Sequence, residues 1–302
     1  MTGTPESAET LKPSSLISCI RFLARYRWRF LAAYLIVLSL LVGTLMPTFK
    51  GNDVRVVKGN KLYQPYQPAL EGYEKSLVLA KSRSEDISWA YNLSSDWGVY
   101  IYTSDREPGF RPTPANKGRE GMSYLTHIID HYDDLTDITV FMHGAASQWH
   151  NDLGNTHSSF LLSKLHMDAV ARKGYTNLRC QSRPGCPVAM RPSDPKFTTL
   201  DDVVYTNFTS IYTELFDLPE EQMPNEIGGI CCGQFALTKK RIRQRPREEY
   251  IHMRDWAIST SLDNFTVGSV FEMLWHLIFL ENSVSCPAPK QCYCDLYGVC
   301  DD

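Results

Sequence analysis

The stretch from Asn116 to Asp152, NKGREGMSYLTHIIDHYDDLTDITVFMHGAASQWHND, restricts the possible folds of this chain more than any other. Asn116-Lys117-Gly118 is turn chemistry. From Arg119 to Tyr132 the apolar residues Met122, Leu125, Ile128, Ile129 and Tyr132 recur at helical spacing. That pattern predicts a helix with this face on the core and with His127 and Asp130 on other faces. From Ile138 to Met142 the period becomes two, with Ile138, Val140 and Met142 on one side and Thr139 and Phe141 on the other. Only Thr139 is polar, so the strand is expected to be central in its sheet. If the helix runs antiparallel to the strand it feeds, its N-terminus lies at the strand's C-terminal end. Gly118-Arg119-Glu120 and His143-Gly144 then share one crevice, at the edge where open α/β sheets bind ligands.

The rest of the body supplies parts for the same α/β fold. Ser76 to Ala80 predicts a buried first strand, followed by a loop from Lys81 to Trp89 that opens onto the crevice. Asp96 to Thr103, rich in aromatic and β-branched residues, predicts a second strand. Helices are predicted over Phe160–Lys173, within Leu200–Leu218, and over Lys239–Arg245 capped by Thr238. A longer helix opens at Pro246 with Tyr250, Met253, Trp256 and Ala257 inward, and Val270–Leu280 forms a buried one. Ile230–Leu237 predicts a further strand.

The N-terminal part sets the expected compartment. Arg21, Arg25, Arg27 and Arg29 precede an uncharged run from Phe30 to Met46, and Pro47 ends it. This predicts a cytoplasmic tail over 1–29, a transmembrane signal anchor over 30–46, a stem over 47–74 and a luminal domain over 75–302. The protein would then be single-pass, type II, on the luminal side of the endoplasmic reticulum or Golgi. Three sequons, at Asn92, Asn207 and Asn264, are candidate glycosylation sites there. Of nine cysteines, Cys19 precedes the anchor and eight follow it. An even number on one side points to disulfides in an oxidising lumen. Cys180 and Cys186 flank a Pro-Gly turn and are expected to pair locally, and the cluster Cys286, Cys292, Cys294 and Cys300 to crosslink the C-terminus. The neighbours Cys231 and Cys232 are expected to have distant partners. A net charge of −3 offers no basic field for a nucleic acid.

Three constellations can carry chemistry. His143, His150 and Asp152, with Asn151 between them and His157 nearby, offer ligands for a divalent metal or groups to move a proton. The competing reading is a polar loop with satisfied histidines. Trp149 is expected to fold beside His150 as a lid or wall of the crevice. Gly118-Arg119-Glu120 at a helix start can grip a phosphate or a sugar hydroxyl, or simply pair Glu120 with the helix dipole. Glu272, with His276 one turn later, is a base with its partner or a buried structural pair.

Five separated blocks, NKGREGMSYLTHIIDHYDDL, TVFMHGAASQWHND, NLRC…GCP, CCGQFALTKKRIRQRP and VFEMLWHLIF, resemble the fungal family called domain of unknown function 3431. More loosely, the second half and the anchor-and-stem layout are similar to Golgi-type nucleotide-sugar glycosyltransferases. That resemblance implies one luminal α/β domain with a mixed, mostly parallel sheet of the glycosyltransferase A kind and a disulfide-rich C-terminus. It also implies transfer of a sugar from a nucleotide sugar to an acceptor. Arg119 would contact the donor phosphate, His143, His150 and Asp152 would hold metal or pyrophosphate, and Glu272 would be a base. Where such enzymes carry Asp-x-Asp, this chain has His143-Gly144 and then His150-Asn151-Asp152. Two alternatives stand beside it. One is a tailoring enzyme of fungal secondary metabolism with His143 and His150 as acid and base. The other is a non-catalytic luminal binding protein.

Overall fold

The computed structural model describes residues 73–194 and 202–300, with the backbone of two short paired strands at 56–58 and 61–63. The expected anchor over 30–46 lies outside the described residues. Among the described residues, no helix is long and apolar enough to cross a membrane.

The six strands of the main sheet are β1 (Lys75–Lys81), β2 (Gly98–Thr103), β3 (Arg111–Pro112), β4 (Ile138–His143), β5 (Tyr175–Asn177) and β6 (Phe235–Thr238). Their order is β3-β2-β1-β4-β6-β5. The first four in that order are mutually parallel, while β6 is antiparallel to both β4 and β5. This is the expected mixed, mostly parallel sheet. The strand Ile138–His143 is internal, between β1 and β6, as its apolar residues on both faces require.

Helices cover both faces. On one side Val78, Phe141 and Phe235 pack under α2 (Glu120–Asp130), α8 (Arg247–Ser259) and α9 (Asn264–Ile278). On the other, Leu77, Leu79, Val140 and Met142 pack under α3 (Ser158–Lys164), α4 (Met167–Lys173) and α10 (Pro289–Tyr297). The remaining helices are α1 (Ser88–Tyr91), α5 (Asp202–Thr206), α6 (Phe208–Phe216) and α7 (Lys239–Ile242). Thr238 caps α7, its hydroxyl accepting from the Arg241 N–H at 3.1 Å. Asp263 caps α9 in the same way through the Thr266 N–H at 2.7 Å. Tyr250, Met253, Trp256 and Ala257 are the buried face of α8.

Four expectations are corrected. The helix over Phe160–Lys173 is broken at Leu165-His166, both extended, because the His166 N–H leaves the helix to donate to the Leu296 carbonyl at 2.8 Å. The strand over Ile230–Leu237 shrinks to Phe235–Thr238, because Cys232 and Gly233 take φ of 91° and 50° and turn the chain. His127 does not sit on an outer face. It is 2 % exposed, since Tyr100 and Tyr102 of β2 close over that side of α2. The cysteine pairing also differs: Cys180 bonds Cys292, Cys186 bonds Cys286, Cys294 bonds Cys300, and the neighbours Cys231 and Cys232 bond each other. All eight cysteines from Cys180 onward are thus oxidised, but two bridges span 112 and 100 residues instead of closing local turns. In the chain-entropy account such loops stabilise most, about 4–5 kcal/mol each.

Candidate active site

Strand directions gather one edge. Because β6 is antiparallel to β4, with Phe141 opposite Phe235, the residues that precede β6 lie at the C-terminal end of β4. The ends of β1, β2 and β5 lie at that edge too. The α2 N-terminus joins them, because α2 runs back along the sheet before β4 begins.

Glu120 is the first residue of α2 and is only 8 % exposed. Burial raises its carboxyl to about 7, with its own backbone N–H and Arg119 opposing. Helices α2 and α9 meet closely here. A Cβ on Gly121 would lie 2.6 Å from a Phe271 ring carbon, so the glycine is a packing requirement. Arg119 has φ of 51°, a conformation that costs on the order of 1–3 kcal/mol away from glycine. Its N–H donates to Asn264 Oδ1 at 3.0 Å, and its guanidinium lies 4.3 Å from the Phe265 ring centre. The sequon residues Asn92, Asn207 and Asn264 are all exposed.

Glu272, in the middle of α9, faces a cavity of about 150 Å³ that also touches Gly185, Cys231, Ser269 and Met273. Its pKa is raised, first by burial and then by the Glu120 carboxylate, with His143 pulling the other way. His276 does not partner it. The His276 Nε2 bonds the Ser283 carbonyl at 3.0 Å, so that histidine is structural.

His143 ends β4, and its N–H donates to Gln234 Oε1 at 3.3 Å. The rings of His143 and His150 lie against each other, tilted at 43° with centroids 4.5 Å apart. Burial lowers the His143 pKa, against the pull of Glu272 and Glu85. Burial, His143 and Arg179 together bring His150 down to about 3. Both imidazoles are therefore neutral at physiological pH. His143 Nε2 and His150 Nδ1 are buried without a hydrogen-bond partner, a costly state for a polar atom. Trp149 packs on His150 at 4.2 Å and under Arg179 at 5.4 Å, with 61 % of its surface exposed.

This chain belongs to the DUF3431 family. The family model, described as protein of unknown function, matches residues 77–295. No curated protein and no solved structure matches the chain.

Not every expected ligand in this DUF3431 domain points to the crevice. Asp152 Oδ2 accepts from the Cys180 and Gln181 N–H groups at 2.7 and 2.9 Å and from the Tyr293 hydroxyl at 2.9 Å. Its other oxygen is buried and unpartnered. Asn151 is a brace, accepting from Gln234 Nε2 at 2.8 Å and donating to the Thr156 carbonyl at 2.8 Å. His157 is exposed at the start of α3. Among the described residues, the only histidines, cysteines and acids that place three ligand atoms within 4.8 Å are Cys231, Cys232 and Glu272. His143, His150 and Asp152 form no such set.

Three contributors went unnoticed in the sequence. Glu85 Oε2 accepts from the Ser82 N–H at 2.7 Å and lies against Gly144. Its place in the loop after β1, flagged as a crevice loop, was the available signal. Tyr124, one turn after Glu120, has a buried, unpartnered hydroxyl. Burial first, then Glu120, Glu85 and Glu272, hold its pKa well above the usual range. Gln234 ties β4 to the histidine loop and is 1 % exposed. The site thus places two carboxyls with raised pKa, Glu120 at about 7 and Glu272, beside two imidazoles with lowered pKa, an arrangement suited to proton transfer.

Proposed function

We propose that this chain is a glycosyltransferase-like enzyme that moves a sugar from a nucleotide sugar to an acceptor hydroxyl, with Glu272 as the general base. The observation that carries this is Glu272 itself: a carboxyl with a raised pKa, backed by Glu120 and facing open space. A base of that kind is matched to removing a hydroxyl proton near neutral pH. Arg119 and the α2 N-terminus would meet the donor phosphates. His143, neutral and with a free Nε2, would hold a sugar or acceptor hydroxyl. Two exposed aromatic rings, Trp149 and Phe265, each stacked on an arginine, support a pyranose-sized ligand. The mixed sheet agrees with the glycosyltransferase A resemblance.

A divalent ion at His143, His150 and Asp152 does not fit this reading, because Asp152 is engaged elsewhere and the three form no close ligand set. The donor charge is therefore assigned to Arg119 and the helix N-terminus. Placement on a type II anchor in the secretory lumen belongs to the same proposal, supported by the arginine-flanked apolar run and the four disulfides. The unpartnered imidazole nitrogens favour a second reading, a tailoring enzyme that uses His143 and His150 as acid and base.

The test is nucleotide release by the full-length protein from a panel of nucleotide sugars, with and without candidate acceptors. At least one donor is expected to turn over, and Glu272→Gln to slow it about 10²–10⁴-fold with unchanged melting. No turnover of any donor, with product loss in cells on His143→Gln, would transfer the case to the second reading.

A further inference from the structure

The turn Cys231-Cys232-Gly233 is the wall against which the carboxyls rest. Cys231 lines the cavity that Glu272 faces. The Cys232 backbone pulls the Glu272 pKa down and the His143 pKa up. A Cβ on Gly233 would lie 2.9 Å from Glu120 Oε1. The two sulfurs and a Glu272 carboxylate oxygen fall within 4.8 Å of one another.

The bond between the two cysteines stands apart from the other three. It joins residues 1 apart, where the others close loops of 112, 100 and 6 residues. It therefore ties no distant parts of the chain together and removes almost no unfolded-state entropy. Two sulfurs that secure nothing remote are set at the edge of a cavity, opposite a carboxylate.

We propose that Cys231, Cys232 and Glu272 are a redox-gated site for a soft divalent cation of the zinc class. A dithiol reductant attacks the disulfide and gives two electrons. It leaves as its own cyclic disulfide, and the two protons it carried end on the cysteines. The cation then displaces both thiol protons to solvent and is held by two thiolates and one carboxylate oxygen. This is three protein ligands with the fourth tetrahedral position left to water, and the sulfur ligands select zinc or cadmium over magnesium or calcium. The surroundings favour a cation in the reduced form. Two thiolates beside Glu272 and Glu120 concentrate negative charge in a buried place, and the bound ion neutralises most of it. In the oxidised form the sulfurs are consumed by each other and Glu272 is free. On the function proposed above, reduction with metal would then silence the base, although cation binding itself does not rest on that function.

The experiment uses the full-length protein and Cd²⁺ as the probe. Protein is reduced with dithiothreitol, freed of it without air, and titrated while the sulfur-to-cadmium charge-transfer absorbance and bound cadmium are read. The comparison is with the double variant Cys231→Ser, Cys232→Ser, which keeps the other six post-anchor cysteines and loses no long-range tether. Cys231→Ala is a second variant in case that one misfolds. About one additional Cd²⁺ per chain is expected in the reduced parent, none of it in the oxidised parent. Glu272→Gln should weaken that binding at least about tenfold. Equal loading and equal absorbance in the reduced parent and both cysteine variants would overturn the site. Undiminished affinity in Glu272→Gln, or equal loading by Mg²⁺, would do the same. If the site loads as expected while Glu272→Gln turns over nucleotide sugars normally in the oxidised protein, the metal site stands and the general-base assignment falls.

Discussion

The described residues include two tilted imidazole pairs of nearly the same shape. The His127 and His131 ring centroids lie 4.8 Å apart with the rings inclined at 38°, and those of His143 and His150 lie 4.5 Å apart at 43°. Burial depresses the pKa of His127 as it does those of His143 and His150. What separates the pairs is the fate of their nitrogens. His127 Nδ1 sits 3.3 Å from the Tyr102 hydroxyl, and His131 Nδ1 sits 3.3 Å from Asp134, among the rings of Tyr100 and Tyr102. In the second pair one nitrogen of each ring is buried with nothing to bond. Shape alone therefore says little about a histidine pair. Unmet hydrogen-bonding capacity, beside carboxyls with raised pKa, is what marks the crevice pair as the one awaiting a ligand.

The sharpest way to break this distinction is a matched pair of truncations. His143→Ala is expected to slow turnover about 10²–10⁴-fold with little change in melting. His127→Ala is expected to cost about 2–4 kcal/mol of stability while the folded fraction keeps its turnover. Urea unfolding and turnover on both variants decide it; equal losses in both properties would erase the contrast.

Acid sensitivity sharpens the comparison further. The folded pKa of His127 lies below its unfolded value of about 6.5. The unfolded chain therefore binds more protons as pH falls through that range. Stability from the neutral ring is fully present above it and is lost on acidification. His143 and His150 act with the same sign, whereas Glu120, raised to about 7, acts with the opposite one. His127→Gln should thus flatten the fall in urea midpoint between about pH 7.5 and 5. An unchanged fall would move the sensitivity to the crevice pair.

Smaller effects are expected at the crevice rim. Glu120→Gln removes the charge that helps to raise Glu272, so the acid limb of the rate profile should move to lower pH. A limb that stays in place would mean that burial alone poises Glu272. Trp149→Ala, at a residue 61 % exposed, should leave stability within about 0.5 kcal/mol and raise KM roughly tenfold. An unaltered KM would remove the aromatic rim from the recognition surface.

Much of this was legible because local periodicity and global packing agree from Arg119 to Met142. The switch from helical to alternating spacing marks α2 and β4, and the antiparallel crossing places Arg119, Glu120 and His143 at one end. What was hidden depends on residues far along the chain. The break at Leu165-His166 is caused by Leu296, and the task of Asp152 is set by Cys180 and Tyr293. Neither pattern nor spacing encodes those meetings. The pairing of Cys180 with Cys292 is invisible for the same reason, and the nearby Pro-Gly turn pointed the wrong way. The burial of His127 follows from the two tyrosines of a neighbouring strand, which a helical projection of α2 does not contain.

The long bridges to Cys286 and Cys292 have a consequence for how the protein is made. Tyr293 supports Asp152, and α10 accepts the His166 N–H, so the far end of the chain helps to hold the loop that carries His150. A chain is synthesised from its N-terminus at about 5–20 residues per second, and its earlier parts fold first. The sheet and α2 thus exist before their last buttress has left the ribosome. The histidine loop gains its final support only once Tyr293 and Leu296 have emerged, so products truncated before them are born without a finished crevice.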